Sequence, residues 1–288
     1  MKFKIKTTFI LPLILVVCVL SANAQQINTP AASPSAKLEQ SVGLITITVE
    51  YSRPSLKGRK IFGELEPYGS FWRTGANSAT KITLSGDATV GGIALTKGSY
   101  AVLTKPTLTN WEVFFYSYES SNWGSYVEKT PTATFSVKPT TLTSPVETFT
   151  IDINSMRNDG ANIELSWETT KITIPVALET KKAVMAQIDR FGQNPEASLG
   201  NAYSAAASYM LEEKENLALA LTYATKACEI NPNGYWLFRT KSLIEAELGK
   251  YKEAIASAEI SKTSAEKAGN AQYVKFNEDA IKSWSKKK

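Results

Sequence analysis

The residue types best able to do chemistry lie close together between Tyr51 and Asn77, in YSRPSLKGRKIFGELEPYGSFWRTGAN. Arg53, Lys57, Arg59, Lys60 and Arg73 stand there among Tyr68, Trp72 and Asn77. Guanidinium forks grip carboxylate or phosphate at two points, and a flat ring beside them offers a sugar a stacking face. Gly75 lets a backbone approach a ligand closely. The candidate ligand-binding residues are therefore Arg53, Lys57, Arg59, Trp72, Arg73 and Asn77, facing an anionic or sugar-like ligand. The same residues support a second reading, because the backbone groups of a long loop need partners. Arg53 and Arg73 then hydrogen-bond loop carbonyls, while Trp72 and Phe62 plug the loop onto the fold.

Other chemistries are excluded or lack support. The chain has no histidine, which removes Ser-His-Asp and Cys-His catalysis and every His-ligated zinc, copper or iron site. Ser78-Ala79-Thr80-Lys81 spells S-x-x-K, but so do Ser264–Lys267 and Ser283–Lys286. Productive S-x-x-K needs one helical turn; in a strand, residues three apart face opposite ways, and the partner motifs S-D-N and K-T-G are missing. Glu64, Glu66, Glu112, Glu119 and Glu147 would have to pair at a fixed separation to act as a glycosidase, and nothing in the sequence fixes one. Asp152, Asn154 and Asp159-Gly160 fail the spacing of an EF-hand and read as a hairpin turn. Cys228 shares a helical face with Leu221 and Ala224 and reads as a small core residue. No catalytic residue, metal ligand or cofactor is expected.

Two patterns position these residues. From Gly43, Ile45, Ile47 and Val49 alternate with Thr46, Thr48 and Glu50, which predicts a half-buried strand. Strand-like runs follow at Thr80–Ser85, Ala88–Val90, Ile93–Leu95, Ser99–Thr104, Trp111–Tyr116, Thr132–Val137, Glu147–Ile153, Asn162–Trp167 and Lys171–Val176. Turn signals separate most of them, so residues 42–177 predict an antiparallel β-sandwich or jelly-roll-like domain. After Val176 the period becomes helical. Val184, Ile188 and Phe191 share a face that Gly192 ends, and Asn194 caps the next helix ahead of Pro195. Leu199, Tyr203, Ala207 and Met210 form its stripe. Helices follow at Leu217–Ile230, Tyr235–Leu248, Lys252–Ala268 and Ala271–Trp284.

The helical half resembles a tetratricopeptide array. Ala220, Ala227 and Pro232 sit where that repeat places its small residues and closing proline, and one period later Gly249, Tyr251 and Ala254 fit the same frame. Ser261 and Glu266 depart from it, and Ala271–Trp284 reads as a capping helix. Stacked helix pairs present a surface for protein partners, so an unidentified protein partner is expected through residues 178–288.

The β half resembles the domain-of-unknown-function family 2911. The resemblance rests on Tyr51-Ser52-Arg53-Pro54, Lys57-Gly58-Arg59, Ile61-Phe62-Gly63, Pro67-Tyr68-Gly69 and Trp72-Arg73-Thr74-Gly75-Ala76-Asn77. It continues through Lys97-Gly98-Ser99-Tyr100 and Trp123-Gly124 to Pro175. It implies an exported β-rich domain with a helical extension, in a family found mostly in Bacteroidetes-type bacteria, and no activity.

The start of the chain gives an address. Lys2, Lys4 and Lys6 precede an apolar run, and Ala22-Asn23-Ala24 is a small-x-small cleavage pattern. Residues 1–24 therefore read as a signal peptide cut between Ala24 and Gln25, leaving no membrane span. Localisation is expected to be periplasmic or otherwise exported, and residues 25–41 to be a flexible lead-in rich in Pro, Ala and Ser. Cleavage lowers the formal charge from +5 to +2 by removing three lysines, so nucleic acid is not an expected partner. The functional expectation is a non-enzymatic periplasmic binding protein. The alternatives are a His-independent carboxylate hydrolase or glycosidase, and a structural scaffold of the envelope.

Overall fold

A computed structural model describes residues 29–193 and 201–287. The chain builds antiparallel β-sheets first and helices second. Ten strands run in order: β1 Ser35–Val42, β2 Ile45–Ser52, β3 Thr80–Leu84, β4 Ala88–Val90, β5 Ile93–Leu95, β6 Gly98–Lys105, β7 Trp111–Ser117, β8 Ala133–Val137, β9 Thr140–Arg157 and β10 Gly160–Ala177. They form a six-stranded sheet, ordered β1-β2-β3-β6-β7-β8, and a four-stranded sheet, ordered β5-β4-β10-β9. The core lies where alternate side chains of both meet: Ile47, Val49, Ile82, Val102, Val113 and Phe115 from the first, Val90, Ile151, Ile163, Ile172 and Ile174 from the second. This is the period-two burial that the sequence alternation demands.

Two expectations change here. The flexible lead-in gives way at Ser35, because β1 pairs along its whole length with β2, from Ser35 opposite Ser52 to Val42 opposite Ile45. Its Ala36 and Leu38 pack on the core, so the apolar alternation outweighs the Pro, Ala and Ser composition around it. The expected cleavage site at Ala24 and Gln25 lies outside the described residues. The three separate runs expected after Pro145 are also fused into β9 and β10. Their ladder shifts register around Glu168, which takes a left-handed φ of 54°. A bulge interrupts the sequence alternation without ending the strand.

Six helices follow among the described residues: α1 Thr180–Gln193, α2 Asn201–Glu212, α3 Leu217–Ile230, α4 Tyr235–Glu247, α5 Tyr251–Lys267 and α6 Ala271–Trp284. Gly192 lies inside α1 rather than ending it. Asn194, Pro195 and Leu199, expected in the cap and stripe of the next helix, lie outside the described residues. Asn216 and Asn270 cap α3 and α6, their side chains accepting the amides of Leu219 and Tyr273. Ala220, Ala254, Ala227 and Ser261 are all buried, so both small positions separated by one expected repeat are internal. Ser261 is tolerated because its hydroxyl donates to the Tyr235 carbonyl and accepts from Asn277 Nδ2, each at 2.8 Å. Among the described residues no helix is long and apolar enough to cross a membrane.

The two halves touch at the tip of the β9–β10 hairpin. Asn158 Nδ2 donates there to Glu213 Oε1 at 3.2 Å, and within the helical half Lys181 of α1 pairs with Glu215 at 2.7 Å. Gly43, in the β1–β2 turn, closes this corner at φ +52°; a Cβ there would stand 2.5 Å from Thr180 Oγ1 and 2.6 Å from the Asn158 carbonyl. Only glycine fits that conformation and space.

Candidate functional site

The loop Tyr51–Asn77 runs from the end of β2 to the start of β3, and its side chains separate into two sets. Trp72 is 2% exposed. Its ring stacks on Trp167 at 5.8 Å and meets Phe62, Trp111 and Phe149 edge-on. Its indole N–H donates to the Gly75 carbonyl at 3.0 Å. No face of Trp72 is left for a ligand, which corrects the expectation of a stacking surface at this residue. The cause is local pairing: Trp72 exchanges backbone hydrogen bonds with Thr104 at 2.7 and 2.9 Å. Alternation then turns Trp72 inward and its neighbours Phe71 and Arg73 outward.

Most of the basic residues are spent on the loop itself. Arg53 Nε donates to the Phe149 carbonyl at 3.0 Å and its Nη2 to Thr150 Oγ1 at 2.7 Å, tying the loop to β9. Arg59 donates to the carbonyls of Leu56 and Ser55 at 2.9 and 2.7 Å. Lys57 takes a φ of 50°, and its amide donates to Glu147 Oε1 at 3.0 Å. Lys60 pairs with Glu64 at 3.6 Å on the surface. Glu168, re-aimed by its bulge, accepts the Ile61 amide at 3.3 Å. Asn77 donates to the Ser33 carbonyl and to Ser52 Oγ, at 3.2 and 3.3 Å. The six residues expected to form one site do not converge.

Arg73 also serves the loop, donating to the Asn77 carbonyl at 3.2 Å, but it lies in addition over the Trp123 ring at 5.0 Å. Its field also lowers the Glu66 carboxyl, but burial works more strongly in the other direction and pushes Glu66 up to about 7.

What Arg73 borders is the outer face of the six-stranded sheet. The register sets Lys37, Glu50, Lys81, Ala101 and Tyr116 in one row across β1, β2, β3, β6 and β7. Over β6 and β7 this face is roofed by a satellite core, in which Leu103, Phe114, Tyr116 and Tyr126 pack with Phe71, Tyr118 and Trp123. The roof stops at Tyr118 and Ser121, leaving a cleft of about 350 Å³ over β1–β3. That volume lies at the low end for small-molecule sites. Lys37, Glu50, Ser52, Ser78, Lys81 and Tyr118 line it. Lys81 pairs with Glu50 at 2.8 Å and lies 5.2 Å from the Tyr118 ring centre.

Ser78 and Lys81 line the same cleft, although alternation in a strand would separate them. β3 begins at Thr80, so Ser78 belongs to the preceding loop and is free of that rule. The pair still lacks a base. The hydrogen bond to Glu50, before any other influence, holds the Lys81 ammonium above its ordinary range, so it remains a cation at neutral pH. Sequence reasoning missed Lys37, Glu50, Lys81, Tyr118 and Trp123 as a group. The signal for Glu50 was present in its place opposite Ile47 and Val49; the others come together only through strand order.

The helical half holds a larger open groove, of about 760 Å³, lined by Tyr203, Leu221, Thr222, Lys226, Glu229 and Leu248. Cys228 lies beneath the surface with Ala227 and Leu237, and burial pushes its thiol up to about 11.

No curated protein and no solved structure matches the chain. The family described as Protein of unknown function (DUF2911) matches residues 33–176. That span is half of the chain and runs from just ahead of β1 to Val176 in β10, enclosing the plugged loop, the roofed sheet and the cleft. The chain belongs to the DUF2911 family.

Proposed function

We propose that this is an exported, non-catalytic binding protein: its β domain holds an anionic or sugar-like ligand, and its tetratricopeptide-like helices engage a protein. The ligand seat is the cleft over β1–β3, with Arg73 and Trp123 at its rim. The observation that carries this reading is the cleft in which Lys81 is held between Glu50 and the half-buried Tyr118 ring, a fixed cation, an aromatic wall and a hydroxyl acceptor in one recess. Arg73 is joined to it through Asn77, whose carbonyl accepts from the arginine and whose side-chain amide donates to Ser52 Oγ in the cleft lining. Absence of histidine and the protonated state of Lys81 weigh against catalysis at this place. The helical groove, with its mixed apolar and charged lining, has the character of a peptide-binding surface. The signal-like start of the chain supports the exported, periplasmic part of this reading.

The test is a thermal-shift screen of the chain from Gln25 against anions and glycans. A ligand at a hundred times its dissociation constant adds about 2.7 kcal/mol of stability. The reading requires a hit that is weakened in Arg73→Ala and Lys81→Met and kept in Arg59→Ala. A hit insensitive to the cleft variants would move the site elsewhere and sink the proposal.

A further inference from the structure

We infer that β1 is a docking edge for a second copy of this chain, which adds its own β1 antiparallel across a two-fold axis at Leu38.

A sheet edge presents unpaired backbone groups, and folds blunt their edges to prevent unwanted pairing. The other edges of the β domain are blunted. β5 is three residues long, and β8 is five residues with Pro139 close behind it. β9 is covered by the long loop. Ser55 bridges Thr148, the Leu56 amide donates to the Glu147 carbonyl, and the Phe149 amide donates to the Pro54 carbonyl. The Tyr51 hydroxyl accepts from the Ile151 amide and donates to its carbonyl. β1, by contrast, is a regular strand of eight residues, and among the described residues only β2 pairs with it.

Pairing with β2 fixes which backbone groups of β1 are left at the edge. The Pro34 carbonyl accepts the Arg53 amide at 2.8 Å, and hydrogen-bonded pairs recur at every second residue of an antiparallel ladder. Ala36, Leu38, Gln40 and Val42 therefore turn their backbone groups to β2, while Ser35, Lys37, Glu39 and Ser41 turn theirs outward. A second β1 must set these odd-numbered residues against its own. A two-fold at Lys37 or at Glu39 would bring like charges face to face, which destabilises a strand pair. A two-fold at Leu38 sets Lys37 opposite the partner's Glu39 and Ser35 opposite the partner's Ser41, and uses every outward residue. Lys37 and Glu39 already reach each other along the strand at 3.3 Å, both 60% exposed. Two copies close that pair into a ring of charges alternating in sign, since an ammonium has several donors and a carboxylate two acceptor oxygens. The row across the sheet keeps the same alternation: Lys81, Glu50, Lys37 and then the partner's Glu39. On the other face Leu38, half-buried against the core, meets its own copy. The order of the two charges thus disfavours the neighbouring registers and selects one. The resulting interface is isologous and closed.

The experiment is sedimentation velocity of the chain from Gln25 across a hundredfold range of concentration. A reversible shift from monomer to dimer is expected. Lys37→Glu and Glu39→Lys should each weaken the dimer at least tenfold, because the two-fold axis repeats each change. Mixed in equal amounts, the two variants should pair with each other as tightly as the unaltered chain pairs with itself, since opposite charges then face again at both places. Lys37→Glu also stands opposite Glu50, so thermal melting checks its folding. If it fails to fold, Glu39→Lys, which stands opposite Thr48, and Ser41→Pro, which removes an outward amide, carry the test, and both must weaken the dimer. A chain that stays monomeric throughout would overturn the inference. A dimer that the charge reversals leave intact would do the same, by placing the interface on another face. Variants that weaken singly but fail to pair when mixed would overturn the register.

Discussion

Glu66 gives the sharpest test of the electrostatics of the long loop. Its backbone is fixed, with the amide donating to the Ile61 carbonyl and the carbonyl accepting from Gly63, each at 2.9 Å. Its carboxyl is half-buried and is displaced from an ordinary 4.5 to about 7 by that burial, in spite of Arg73. Below the ordinary value, folded and unfolded chains both hold the proton. Between the two values the unfolded chain releases it and the folded chain keeps it. Stability therefore falls as pH rises through this window, and the whole cost is present above pH 7. At 1.36 kcal/mol per tenfold, the displacement amounts to about 3 kcal/mol. Because the carboxyl is only half-buried, solvent screening leaves about 1–2 kcal/mol of it. Glu66→Gln, which keeps the shape and removes the charge, should stabilise the protein by that amount at pH 8. Thermal melting should register a rise of about 3–6 °C. At pH 4 the two proteins should melt together, since both then carry a neutral side chain. An equal gain at both pH values would mean that the amide packs better for reasons unrelated to charge. No gain at pH 8 would mean that Arg73 compensates the buried carboxylate, and the reasoning would fail.

Further outcomes follow from the same contacts. Trp72→Ala removes the ring shared by four aromatic neighbours and should cost about 3–5 kcal/mol in urea unfolding; a loss below 1 kcal/mol would contradict its place in the core. Arg53→Ala breaks two bonds between the loop and β9 and should cost about 1.5–3 kcal/mol, whereas Arg59→Ala, whose partners lie in an exposed turn, should change stability little. Cys228 should not react with a disulfide reagent in the native protein at pH 8, and should react fully once urea unfolds the helices. Rapid native labelling would place it at the surface instead.

The fold was legible wherever one local rule governed several residues. Helices α3 and α6 begin and end where turn residues and apolar period place them, at Leu217–Ile230 and Ala271–Trp284. β2 shows the alternation of Ile47 and Val49 against Thr48 and Glu50. The bulge at Glu168 hid the length of β10, since a left-handed residue within a strand leaves no mark when it is not glycine. β1 was hidden by composition, because Pro34 before it and Ser35 at its start resemble a linker while its apolar residues Ala36 and Leu38 are few.

The site was illegible for a deeper reason. Adjacent residues in an extended segment go to opposite sides, so Trp72 and Arg73, which look like one recognition unit, are divided between the core and the surface by the pairing of Trp72 with Thr104. The ring that Arg73 does use, Trp123, lies far along the chain, and it arrives only because the segment after β7 folds back over β6 and β7. Lys37, Glu50 and Lys81 come from three strands and meet through register alone. The core side of this sheet is filled by the opposite sheet and by the aromatic plug, so the outer side is the one this sheet leaves open to solvent. There the roof covers β6 and β7 and leaves β1–β3 open, and at that boundary apolar rings, paired charges and hydroxyls all reach solvent together.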